Sequence, residues 1–106
     1  MRYTEFRSKL YAINSKFKIV PNAGMAWGLF LKQPRHPDAN EQGLVHLLSV
    51  PSPRFWSEHL PKETVKNEQG HILARGWAVI VRLLVAQGHM TRRDAADYFR
   101  FGWETV

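Results

Sequence analysis

The chain has 106 residues, a net charge of +6, a pI of about 10.1 and no cysteine. Its length gives one domain, and 44% hydrophobic with 23% charged residues is an ordinary globular composition. Without Cys, disulfides, iron–sulfur clusters and thiolate chemistry are excluded, which fits a reducing cytoplasm. No signal peptide is expected, because Arg2, Arg7, Lys9, Lys16 and Lys18 break up the first segment. No apolar run reaches the roughly 20 residues of a membrane span, so no membrane partner is expected.

In chain order, Thr4 to Ile13 reads as a helix with Thr4 as its N-cap, because Phe6, Leu10, Ile13 and Phe17 recur at helical spacing. Phe17 to Val20 is short and β-prone, and Pro21-Asn22 turns it. Met25 to Leu31 predicts a strand in which Gly28 marks a bulge or a close backbone approach. Gln33 to Gly43 is a loop carrying Pro34, Pro37, Asp38, Asn40 and Gly43. Leu44 to Val50, bounded by Gly43 and Pro51, predicts a second strand antiparallel to the one before the loop.

Ser52 to Leu60 predicts a short helix, with Ser52 as cap, Pro53 at its first position and Pro61 ending it. Glu63 to Gln87 reads as a long central helix with an apolar face of Val65, Ile72, Leu73, Trp77, Ile80, Leu84 and Val85. Gly70 is a point where it can split, and Gly76 beside Trp77 allows another element to come close. Gly88 suits a left-handed helix end. Thr91, with Asp94 three residues on, caps a final helix at about 91–101. No internal repeat stands out. The fold class expected is α+β: a small antiparallel sheet from residues 17–50 packed against the 63–87 helix and the C-terminal helix.

Leu83 to Phe99 resembles the first half of a helix-turn-helix. The turn would fall at Phe101-Gly102-Trp103, leaving Glu104-Thr105-Val106 for a recognition helix, too few residues to read bases in the major groove. A structural hairpin carrying Ala95, Tyr98 and Phe99 into the core is the expectation instead. Metal binding has little support: the five His are widely separated, and Glu68 with His71 at i, i+3 lacks companion ligands. No nucleotide-binding or nucleophile motif occurs, and His36 with Asp38 is the sole acid–base pair that the spacing suggests. No enzyme activity, cofactor or metal is therefore expected.

The positive charge gathers in residues 1–18, where Arg2, Arg7, Lys9, Lys16 and Lys18 outweigh Glu5, and in Arg92, Arg93 and Arg100. Trp, Tyr and Arg dominate interface energetics, which singles out Arg54-Phe55-Trp56 and the tail with Tyr98, Arg100, Phe101 and Trp103. These residues predict a cytoplasmic, non-enzymatic binding protein, accessory or inhibitor-like in the style of small phage and mobile-element proteins. Its expected partner is a nucleic-acid-processing enzyme or its complex. The alternative is a weakly sequence-specific DNA or RNA binder that uses the basic N-terminal segment with Arg92, Arg93 and Arg100.

Overall fold

Helix α1 (Tyr3–Ile13) opens the fold in a computed structural model that describes residues 1–22 and 26–101. It buries Tyr3, Phe6 and Leu10. The cap is Arg2, in extended conformation, whose carbonyl accepts the Phe6 N–H at 3.0 Å. Thr4, the expected cap, lies inside the first turn, and no side chain caps this helix. Phe17 continues the apolar spacing of α1 but belongs to the next element.

Strands β1 (Phe17–Pro21), β2 (Ala26–Lys32) and β3 (Leu44–Pro51) form one antiparallel sheet in that order. The register places Phe17, Leu31 and Val45 in one row, Lys18, Phe30 and His46 in the next, and Ile19, Leu29 and Leu48 in the third. Leu29 pairs with Leu48 and Phe30 with His46, so Leu47 is an extra residue, a bulge in β3. Side chains alternate across a sheet. The rows containing Phe17 and Ile19 therefore face the helices, and the row containing Lys18 faces away.

The expected β2–β3 pair is present. Its loop is built from successive turns, closed at its end by Asn40, whose Oδ1 accepts the N–H groups of Gln42 at 2.9 Å and Leu44 at 3.0 Å. Gly43 takes φ +75°, which suits glycine. The short helix α2 (Trp56–His59) begins later than expected and runs into a 3-10 turn, Leu60–Lys62. Ser52 does not cap it: its carbonyl instead accepts the Phe55 N–H in the turn before the helix. Pro61 sits inside the 3-10 turn, where its missing N–H costs nothing.

The long helix expected at 63–87 is the main correction. Its first half is a β-hairpin of β4 (Thr64–Lys66) and β5 (Ile72–Arg75), and its second half is α3 (Trp77–Ala86). Asn67 makes the hairpin turn. Its Oδ1 accepts from the N–H groups of Gln69 and His71, both at 3.0 Å, and Gly70 follows at φ +84°. An Asn side chain that satisfies two amides locally competes with helix propagation and wins here. The same four residues, Asn-Glu-Gln-Gly, stand at 40–43 and at 67–70 and close the same turn twice. Gly76 (φ +64°) then swings the chain from β5 into α3. A Cβ there would meet only ordinary contacts, so Gly76 is needed for its backbone angle and not for a close approach.

α3 buries Val79, Ile80, Val81 and Leu84, ends before Gly88 (φ +79°), and is followed by α4 (Arg92–Phe99). Thr91 Oγ1 accepts the Asp94 N–H at 3.0 Å, as the sequence predicts. Arg100 takes the left-handed C-cap position at φ 53°. The sheet packs against the helices, and rings run through the core in sequence: Trp27 on Tyr3, Tyr3 on Trp56, Trp56 on Phe6, Phe6 on Phe99 and Phe99 on Trp77. The fold is α+β, as expected. Among the described residues no helix is long and apolar enough to cross a membrane.

Candidate functional site

The aromatic chain reaches the surface where α1, α2 and the start of α3 meet. A groove of about 790 Å³ opens there. Its floor is Tyr3, Trp56, Leu60 and Trp77, and its rim carries Arg2, Glu5, Ser57 and Arg75. Each element delivers its part for a local reason. The extended Arg2 cap leaves its side chain at the helix mouth, Pro53 and Pro61 bracket the turn holding Trp56, and Gly76 reverses the chain between Arg75 and Trp77.

The floor is rigid. Trp56 is 5% exposed, lies edge-on to Tyr3 at 5.6 Å between centroids, and donates its Nε1–H to the Met1 carbonyl at 2.9 Å. The Arg7 guanidinium stands 5.4 Å from the centre of the Tyr3 ring. Burial pushes the Tyr3 phenol above its ordinary pKa, and the neighbouring Arg7 opposes that shift. Tyr3 is therefore held as the neutral phenol. A groove of this volume with apolar walls and few charged groups matches the general form of a ligand or peptide site.

The residues singled out from the sequence end up in several places. Arg2 and Trp56 meet in the groove, but Trp56 is a core side chain that presents only an edge. Its ring fits between Tyr3 and Phe6. Arg54 stands 5.5 Å from the centre of the Phe55 ring. Lys9 is committed to structure: its Nζ donates to the Tyr98 carbonyl at 2.8 Å, joining α1 to the end of α4. Lys18 lies 5.6 Å from the centre of the Tyr11 ring, and Lys16 lies beside Lys32. The basic side chains of the N-terminal segment are thus distributed over several parts of the molecule.

On α4, Arg93 pairs with Asp97 one turn on, at 3.5 Å, with both side chains well exposed. Arg92 lies exposed on the same helix. Phe101, the first residue of the expected turn before a recognition helix, is buried, and Gly102 and Trp103 lie outside the described residues. His36 and Asp38 meet chiefly through the Asp38 backbone. The Asp38 N–H donates to His36 Nδ1 at 3.0 Å, whereas the carboxylate oxygen is 3.9 Å from that atom in an exposed loop. Glu68 and His71 sit in a hairpin turn and not on a helix, which removes the helical spacing that suggested ligation. Among the described residues no group of three or more His, Asp or Glu is placed to hold a metal ion.

Sequence reasoning missed Arg75 and Trp77 as groove residues because it placed both inside a helix. The signal was the glycine between them. No family model, curated protein or solved structure matches this chain.

Proposed function

We propose that this protein is a cytoplasmic, non-enzymatic binding protein, accessory or inhibitor-like, whose groove receives a segment of a nucleic-acid-handling protein. The observation that carries this reading is the groove itself: three rings at the floor, with Arg2 and Arg75 opposed by Glu5 at the rim. Buried aromatic and arginine anchors dominate protein interfaces. The segment that fits presents an apolar side chain to Tyr3, Trp56 and Trp77, with carboxylates placed to meet Arg2 and Arg75. The mixed rim favours a peptide over a phosphate backbone, which Glu5 would repel. The net charge of +6 draws the protein to a partner already bound to nucleic acid, where the polyanion supplies the counter-charge.

The test is an affinity capture from nuclease-treated cell extract with wild type, Arg75→Glu and Arg93→Glu side by side. A discrete partner recovered by wild type and by Arg93→Glu, but not by Arg75→Glu, supports the groove as the binding site. Loss of every partner on nuclease treatment, or full recovery by Arg75→Glu, overturns the reading.

A further inference from the structure

The outer face of the β1–β3 sheet holds a second, chemically different surface. None of its residues belongs to the main core cluster, although Phe30 is buried. Across its middle run Lys18, Phe30 and His46, directly opposite one another on three strands. One step along, Lys32 shares this face, and its backbone N–H is bonded to the Lys16 carbonyl at 2.8 Å. Lys16, Lys32, Arg35 and His36 converge on a shallow recess of about 400 Å³ beside the sheet. The three strands contain no Asp or Glu at all. Among the described residues, no carboxylate pairs with Lys16, Lys18, Lys32 or Arg35. A face that only solubilises a protein intersperses both signs of charge. The strands of this face carry a single sign, and on the adjoining loop Asp38 stands 3.9 Å from His36 Nδ1.

Phe30 gives the face its centre. Its ring lies so close over Gly28 that a Cβ there would overlap the ring, and it meets the His46 ring edge-on at 5.2 Å. His46 itself is exposed. A supported ring between cations is the arrangement that takes single-stranded nucleic acid, with bases stacked on rings and phosphates neutralised at the sides. The face offers no projecting helix or ribbon to enter a duplex groove.

We propose that the outer face of the β1–β3 sheet binds single-stranded nucleic acid, with Lys16, Lys18, Lys32 and Arg35 on the phosphates and His46 as the stacking ring. The two surfaces then divide the work. The groove holds the protein partner, and the sheet holds the strand on which that partner acts.

Fluorescence anisotropy with a labelled oligothymidine and an oligouridine of about 12 nucleotides tests this assignment. Four neutralised phosphates give a log–log salt slope near −2.8, so affinity falls about fifty-fold between about 50 and 200 mM salt. Lys32→Glu with Arg35→Glu is expected to weaken binding at least about tenfold and to flatten the slope by about 1.4, with an unchanged melting curve. Lys32→Gln, which cannot repel, is expected to flatten it by about 0.7. His46→Ala is expected to weaken binding several-fold and leave the slope as it is. Arg75→Glu is expected to bind the oligomer like wild type, which separates failure here from failure of the groove. The proposal is overturned by no binding at the lowest salt, by wild-type binding of the Lys32 and Arg35 variants, or by duplex bound as tightly as the single strand. Binding to anionic vesicles without binding to either oligomer overturns it as well.

Discussion

The two faces of the β1–β3 sheet are made by alternate residues of the same strands, yet they obey different rules. The inner face, with Phe17, Ile19, Leu29 and Leu31, is locked under α1 and α3 and joined to the ring chain that floors the groove. The outer face has one large buried ring, Phe30, and it belongs to no core cluster. On the inner side, the rings that floor the groove are also core side chains, so the floor cannot be altered without loosening the fold, whereas the exposed rim residues Arg2, Glu5 and Arg75 can be exchanged. On the outer side, the charged groups stand on a backbone fixed from behind and can be exchanged without structural cost. A surface built from core edges is rigid but costly to change, whereas one built from solvated side chains is free to vary.

Trp56→Ala is the most severe way to test the first half of that contrast. It removes a buried ring packed on Tyr3 and Phe6, and with it the hydrogen bond to the Met1 carbonyl. A loss of about 3–5 kcal/mol in urea unfolding is expected. A cost under about 1 kcal/mol would mean that the ring chain does not hold the groove together. Gly28→Ala comes next, and it tests whether the outer face has any packing of its own. The new methyl must push the Phe30 ring aside, with an expected cost of about 1–3 kcal/mol. Shortening the obstacle with Phe30→Leu should recover much of that cost, a coupling that a double-mutant cycle measures. Additive costs in the cycle would show that the two residues do not touch.

The same contrast explains what was legible in the sequence. Local chemistry read correctly where one residue settles the backbone: Thr91 starts α4, and Gly88 follows the end of α3. It failed at 63–76, because Val65, Ile72 and Leu73 suit both a helix and a hairpin. There the decisive signal is Asn67-Glu68-Gln69-Gly70, the same four residues that end the loop at 40–43. The inner face was visible as apolar runs. The outer face was not, because Lys18, Phe30 and His46 lie far apart in the chain and become neighbours only through strand register. Counting charge along the chain grouped Arg2, Arg7 and Lys9 with Lys16 and Lys18, yet folding separates them. It overlooked Lys32 and Arg35, which folding brings to Lys16.

A smaller effect is expected at the boundary between the two faces. The Tyr11 hydroxyl accepts the Ile19 N–H at 3.3 Å, which covers part of the outer edge of β1. Tyr11→Phe removes that acceptor and should cost about 0.5–1.5 kcal/mol. Amide exchange at Ile19 should quicken while that of Leu29, in the middle strand, stays slow. Equal acceleration at both would point to loosening of the whole sheet and not to an opened edge.

Lys32→Ala is expected to have the least effect on stability, and it tests the outer face most directly. Lys32 is exposed, and the hydrogen bond that ties it to Lys16 uses its backbone N–H, which the substitution keeps. Surface exchanges of this kind usually stay within about 0.5 kcal/mol. Loss of one phosphate contact should nevertheless flatten the salt slope for a single strand by about 0.7. An unchanged unfolding curve with a flattened slope would separate binding from folding, as the openness of this face requires. A destabilised protein would instead place Lys32 among the structural residues, and the contrast between the two faces would no longer hold.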